Sequence, residues 1–119
     1  MTSRDVIAGA INNAGIPGAA GATVNVTARY RQTLTPFEGF VRLARKAIDD
    51  SRLGFMDTWQ IWLALPQDVA TAEEWIDNHG DALLAAVNTE ATALDLTPSV
   101  LVLDANSVPG IVITAAREG

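Results

Sequence analysis

The sequence predicts an α+β domain, in which a mostly antiparallel sheet is covered on one face by two helices. Two segments place apolar residues at helical spacing behind capping signals, whereas several others alternate apolar and polar residues as strands do. The predicted order is helix, strand, strand, strand, helix, strand, strand. The 119 residues contain no internal repeat, so residues 1–119 are expected to form a single domain.

The first predicted helix runs from Arg4 to Ala14. Thr2 or Ser3 is available as its N-cap, and Gly15 is placed to end it. Its apolar stripe consists of Val6, Ile7, Ala10, Ile11 and Ala14. The glycine-rich segment 15–23 is predicted to be a loop, and its glycine spacing matches neither the dinucleotide-binding fingerprint nor the P-loop.

Residues 24–31 are predicted to form the first strand because their side chains alternate. One face would carry Val24, Val26, Ala28 and Tyr30, and the other Asn25, Thr27, Arg29 and Arg31.

Residues 35–50 are compatible with two structures. The sequence TPFE at 35–38 has the form of a capping box with proline at the first helical position, which favours a helix. Gly39 weakens a helix start, and the GFVRL that begins there is equally good strand material. The residue pattern by itself favours the helix.

The third strand is predicted over residues 57–65, which include two tryptophans. Trp59 shares a face with Ile61, Leu63 and Leu65, so this face belongs to the core. Trp62 is at an odd spacing from Trp59 and must point to the opposite face. An exposed tryptophan forgoes about 1.5–3 kcal/mol of burial. We therefore expect Trp62 to lie in an interface with another subunit.

The second helix is predicted to open at Thr71, where TAEE forms another capping box. Its core face would carry Ala72, Trp75, Ile76, His79, Leu83, Ala86 and Val87, and its solvent face Glu74, Asp77, Asp81 and Asn88.

The segments 99–103 and 110–116 are predicted to form a terminal hairpin. Val100 and Val102 would face away from Leu101 and Leu103, so both sides of this strand are apolar. A neighbouring subunit over the outer sheet face would account for this surplus.

Charge is scarce and unevenly distributed. Only 18% of the residues are charged, the hydrophobic fraction is 49% and the net charge is −6. Residues 29–52, the basic segment, hold six of the eight lysines and arginines, whereas residues 53–116 hold nine acids and no lysine or arginine. Opposite charges on one molecule favour a head-to-tail contact between copies, which closes into rings or extends as filaments. The interface residues predicted from this split are Arg42, Arg45, Lys46, Glu74, Asp77 and Asp81, in addition to Trp62.

Residue types needed for catalysis are scarce. The chain has no cysteine and one histidine, His79, which lies on the apolar face of a predicted helix, as structural histidines do. It has no nucleophile elbow and no Glu-x-x-His pair. We therefore expect no enzyme activity, no cofactor and no metal.

The net charge argues against affinity for duplex DNA. Neither a signal peptide nor a membrane span is evident, which predicts a cytosol-like compartment.

Three stretches carry a family resemblance. GFVRL, DTWQIWLALPQD followed by the acidic helix, and the closing PGIVITAARE resemble the tail-terminator proteins of long-tailed bacteriophages, over nearly the whole chain. By this resemblance, residues 39–46 should be a strand despite the capping box, and this is the structure that we predict.

The resemblance also implies a function. Tail terminators form a hexameric ring that caps the tail tube, stops its polymerisation and joins it to the head connector or stopper protein. DNA would pass through the lumen without specific binding, and the protein would be assembled in the host cytoplasm and reside in the head–tail neck of the virion. The alternatives are another head–tail neck protein, or a cytosolic α+β homodimer that binds a small ligand beside the sheet.

Overall fold

The computed structural model of the chain describes residues 2–18, 21–49 and 54–118. Its elements are α1 (Ser3–Asn13), β1 (Asn25–Thr27), β2 (Glu38–Asp49), β3 (Gly54–Ala64), α2 (Val69–Asn88), β4 (Thr92–Val102) and β5 (Ser107–Glu118). The strands form one sheet in the order β1-β2-β3-β5-β4, in which β1 pairs with β2 in parallel and the other pairs are antiparallel. The predicted α+β class and element order are confirmed.

The main core lies between the two helices and one face of the sheet, which we call the helix-side face. Trp59, Ile61 and Leu63 of β3 are buried there, as the alternation predicted. The helices contribute their apolar stripes, including Ile7 of α1 and Leu83 of α2, both fully buried. The opposite side of the sheet is the outer face.

The first helix begins and ends where its capping residues predict. The Thr2 hydroxyl accepts from the backbone N–H of Asp5, and the Asp5 carboxylate accepts from the backbone N–H of Thr2 at 3.1 Å, which completes a capping box. After the helix, Gly15 has a φ of +64°, a conformation that glycine adopts without steric cost.

The first strand is shorter than predicted. Strand pairing ends at Thr27, and the chain then bends. Tyr30, predicted to share a face with Val26, instead packs on Phe40 of the outer face, with ring centroids 5.0 Å apart. The prediction over residues 28–31 was wrong because alternation in a short segment does not reveal where the neighbouring strand stops.

The capping-box sequence at 35–38 closes a turn, and the strand predicted after it is confirmed. The Glu38 N–H donates to the Thr35 carbonyl at 3.0 Å, and the Glu38 carboxylate accepts from the Thr35 N–H at 3.0 Å and from its hydroxyl at 2.7 Å. Pro36 occupies the second turn position, and Phe37 at the third has a φ of 67°. Proline followed by a positive φ is the pattern of a type II turn, so the same local bonds lead into β2.

Two boundaries differ from the predictions. The N-cap of α2 is Asp68 and not the predicted Thr71: the Asp68 carboxylate accepts from the Thr71 N–H at 3.2 Å, within the first helical turn. Strand β4 begins at Thr92, well before the predicted residue 99. An irregularity between Ala93 and Asp95 shifts the register, which breaks the alternation that would have indicated a strand.

Both edges of the sheet carry features that disfavour the addition of another strand. At β1, the Asn12 side chain bonds both the N–H and the carbonyl of Val26, each at 2.8 Å, and so takes the place of a neighbouring strand. At β4, the edge contains Pro98 and the irregularity near Leu94. Edges of this kind resist pairing with other chains.

Candidate subunit interface

Part of the outer face is buried by the chain itself. A second apolar cluster lies there, formed by Leu34, Phe40, Ala64, Leu101 and Leu103. The segment 28–37 crosses over it and is held to the β4–β5 turn by two hydrogen bonds, from Ala105 N to the Gln32 carbonyl and from Asp104 N to the Tyr30 hydroxyl, each 3.2 Å long.

This arrangement corrects the expected role of the terminal hairpin. Leu101 and Leu103 need no neighbouring subunit, because the segment 28–37 covers them. The exposed members of this strand are instead Val100 and Val102, which are 65% and 67% accessible. They lie on the helix-side face, where Val100 pairs with Pro109.

Trp62 lies at the boundary between the covered and the open part of the outer face. It points away from Trp59, as predicted, but it is half-buried rather than fully exposed. Its ring centroid is 5.3 Å from that of Phe40, and its Nε1–H donates to the Gln60 side chain at 3.1 Å. Arg42 lies over the same ring, with the guanidinium carbon 5.0 Å from the centroid.

A β-bulge places two arginines side by side on the outer face. Arg42 and Arg45 are three positions apart and would point to opposite faces of a regular strand. The register of β2 shifts between Leu43 and Arg45, so that Arg42 lies opposite Gln60 and Arg45 opposite Thr58 on the same face. Both arginines are exposed.

Lys46 does not join this pair. It lies opposite Asp57 on the helix-side face, where its Nζ is 3.0 and 3.1 Å from the two carboxylate oxygens. Asp57 is only 4% exposed, so the lysine neutralises a buried charge. The basic segment is therefore divided between the two faces, and of its three predicted interface residues only Arg42 and Arg45 share a surface with Trp62.

The three predicted acids lie together on the exposed side of α2. Glu74, Asp77 and Asp81 are all exposed, one or two turns apart. Asp77 and Asp81 border a groove of about 430 Å³, and Leu84 and Leu96 are among its other lining residues. The structure thus brings Trp62, Arg42 and Arg45 together on one layer of the domain, and the acids together on the other.

A cleft that the sequence pattern did not predict opens beside Trp75. It has a volume of about 270 Å³, and its lining includes Phe37, Glu74, Trp75 and His79. The Phe37 and His79 rings lie 5.4 and 5.3 Å from that of Trp75. Phe37 reaches α2 only through the turn before β2, and no local pattern signals that contact.

The turn that presents Phe37 depends on an ionised carboxylate. Bonds from the hydroxyl and the N–H of Thr35, together with the positive charge of Arg31 3.2 Å away, hold the pKa of Glu38 below its usual range. The capping bonds of Asp5 and Asp68 to Thr2 and Thr71 likewise lower the pKa of these carboxyls.

We expect Glu38→Gln to weaken the pH dependence of stability at acid pH. Because the pKa of Glu38 is lower in the folded state, its contribution is fully present above the unfolded pKa and is lost as pH falls through the folded pKa. The variant should therefore lose more stability near neutral pH than below pH 3. Urea unfolding as a function of pH measures this, with Glu73→Gln on the exposed surface of α2 as the control. Equal losses at both pH values would contradict the assignment.

Comparison with known proteins gave no match: no protein-family model and no curated protein matches the chain. Within residues 2–18, 21–49 and 54–118, no group of three or more histidine, aspartate or glutamate side chains is arranged to hold a metal ion. Neither α1 nor α2 combines the length and the apolar character that a membrane span requires.

Proposed function

We propose that this protein is a non-catalytic structural component of the bacteriophage head–tail neck, which forms a ring at the end of the tail tube. In this role it stops polymerisation of the tail-tube protein and provides the surface on which the head connector or stopper protein docks. DNA passes through the lumen without specific binding.

The observation that carries the proposal is the position of opposite charges on opposite layers. Arg42 and Arg45 lie on the outer face of the sheet, and Glu74, Asp77 and Asp81 lie on the exposed side of α2. A two-fold dimer brings the same patch of two copies together, which would place like charges against each other. A heterologous contact pairs the arginines of one copy with the acids of the next, and such contacts generate rings or filaments.

Two further features support assembly through faces rather than edges. Asn12 closes the β1 edge and Pro98 interrupts the β4 edge, so strand addition is disfavoured at both ends of the sheet. On the outer face, Trp62 remains half-buried beside the two arginines. Tryptophan and arginine are the residue types most enriched where interfaces gain their affinity.

The resemblance to tail terminators supports assembly as a ring at the end of a tail tube. It covers the strand GFVRL, the strand DTWQIWLALP with its following acidic helix, and the closing strand PGIVITAARE. A net charge of −6 suits a channel through which DNA slides without being retained.

Charge reversal tests the proposed contact. The double variant Arg42→Glu, Arg45→Glu should weaken self-assembly by roughly tenfold, because it places negative charges against the acids of the next copy. A factor of ten in the association constant corresponds to about 1.4 kcal/mol. Asp77→Lys with Asp81→Lys should restore part of the loss when combined with it. Analytical ultracentrifugation and electron microscopy, with and without tail tubes, measure the assembled fraction.

Arg29→Glu is the matched control, because Arg29 is exposed and belongs to the basic segment but lies outside β2. It alters the net charge by the same amount as Arg42→Glu or Arg45→Glu alone, and it should leave assembly unchanged. A protein that forms only a two-fold dimer, or that never associates even beside tail tubes, would refute the proposed function.

A further inference from the structure

We propose that the cleft beside Trp75 binds the Arg45 side chain of a neighbouring copy of this chain. This inference rests on the proposed ring and specifies one of its contacts, in which each copy contributes an arginine to the next and receives one from the copy before.

The cleft has the chemistry that recognises a guanidinium group. Its lining includes the Phe37 and Trp75 rings, which pack on each other and are only 7% and 6% exposed, and the exposed carboxylate of Glu74. An arginine side chain can lay its methylene stem along apolar lining while its guanidinium pairs with the Glu74 carboxylate. Residues 53–116 contain no lysine or arginine, so α2 offers neither of these side chains of its own to fill the cleft.

The backbone is strained where it builds this cleft. Phe37 has a φ of 67° and is the only non-glycine residue with a positive φ among those that the structure describes. A bulky residue in this conformation is sterically strained, and such strain concentrates at functional sites. The turn would be relaxed with glycine at this position, but the aromatic wall would then be missing.

Gly18 also contributes to the shape of the cleft, where it lies beside Phe37. A Cβ added at Gly18 would lie 3.0 to 3.3 Å from side-chain atoms of Phe37, closer than most packed Cβ contacts. Glycine at position 18 therefore lets the loop lie against Phe37 without displacing its side chain. Residue 37 by its backbone conformation and residue 18 by its small size thus both contribute to the shape of this cleft.

Arg45 is the arginine best placed to enter it. Arg42 is already stacked between Tyr30 and Trp62, with the guanidinium carbon 5.5 and 5.0 Å from their ring centroids. Arg31 forms an ion pair with Glu38. The Arg45 side chain is exposed and has no ion pair, hydrogen bond or ring contact with the described parts of the chain.

The geometry requires a head-to-tail arrangement. Arg45 lies on the outer face of β2, whereas the cleft lies at α2, on the opposite layer of the domain. One copy cannot place its Arg45 in its own cleft, and two copies cannot exchange arginines across a single two-fold interface. Each insertion leaves one arginine and one cleft free, which permits continued addition until a ring closes.

A double-mutant cycle tests the pairing. Glu74→Gln and Arg45→Gln should each lower the association constant by roughly tenfold, and the double variant should be no weaker than either single one. Glu73→Gln, one residue along α2, and Arg29→Gln on the segment 28–37 are the matched controls and should have no effect. The association constants come from sedimentation of the full chain.

A titration of the monomer gives an independent measurement. N-acetyl-arginine amide should shift the indole N–H resonance of Trp75 in NMR spectra, whereas N-acetyl-citrulline amide, its uncharged analogue, should not. Glu74→Gln should abolish the shift.

The outcomes are distinguishable. Rings that form normally while the two single substitutions act additively would overturn the pairing and leave the proposed ring standing. Equal shifts with the arginine and citrulline amides, or none with either, would likewise overturn it. A chain that does not associate under any condition would overturn the proposed function and this inference together.

Discussion

Trp59→Ser is expected to leave the domain largely unfolded at room temperature. The side chain is 6% exposed on the helix-side face, where its strand neighbours are Leu43 and Ala115 and Arg4 lies over the ring at 5.1 Å. Large-to-small substitutions of tryptophan in a packed core cost about 3–5 kcal/mol, which reaches the lower end of the roughly 5–15 kcal/mol that stabilises a native domain. Circular dichroism and urea unfolding measure the loss.

Two conservative substitutions, Trp59→Phe and Trp75→Phe, test how much the hydrogen bonding of each indole N–H contributes to stability. The Nε1–H of Trp59 is buried and has no hydrogen-bond partner among the described residues, whereas that of Trp75 donates to the Pro17 carbonyl at 2.9 Å. Trp59→Phe removes an unsatisfied donor, but Trp75→Phe leaves the Pro17 carbonyl without its partner. We expect Trp75→Phe to be the more destabilising by about 1 kcal/mol. The reverse order would show that the Trp59 N–H has a partner in solution.

Gly39→Ala is expected to destabilise the protein by about 1–3 kcal/mol or more. A Cβ at Gly39 would overlap the Trp62 carbonyl oxygen of β3 and lie 3.2 Å from the Leu63 Cα. These are backbone atoms in the middle of the sheet and cannot move without breaking strand pairs. On the other side of β3, a Cβ at Gly110 would overlap the Leu63 carbonyl oxygen, so Gly110→Ala should have a similar effect.

Gly9→Ala is the matched control, because no atom outside the adjacent backbone of α1 lies within 4 Å of the position its Cβ would take. Gly9 is inside α1, where alanine is preferred over glycine by about 0.5–1 kcal/mol. The same substitution should therefore stabilise at one position and destabilise at the other, in the same unfolding assay. A stable Gly39→Ala variant would mean that β2 and β3 are less closely paired at this end than the structure indicates.

The close approach at Gly39 and Gly110 also affects the candidate interface. Both glycines flank the part of β3 that carries Trp62, and a β2 strand displaced there would carry Arg42 with it. Variants at these positions are therefore unsuitable for testing assembly. Arg45 and Glu74, which are both exposed, are suitable because their substitution leaves the core intact.

The elements that depend on local signals were predictable. The limits of α1 follow from Thr2 and Gly15, and the opposite orientations of Trp59 and Trp62 follow from alternation within a strand. Strand β2 was predicted only through the family resemblance. The pattern at 35–38 specifies a set of short-range bonds, and these bonds serve a helix N-terminus and a turn equally well.

The sequence by itself determined the fold class, the core face of β3 and the separation of basic and acidic residues along the chain, because each depends on periodicity or composition. Only the tertiary structure decided which charges share a surface. The bulge in β2 brings Arg42 and Arg45 together and turns Lys46 toward Asp57. The physical reason is that one extra residue in a strand reverses every side chain beyond it, and the pairing that places this residue depends on a strand elsewhere in the chain.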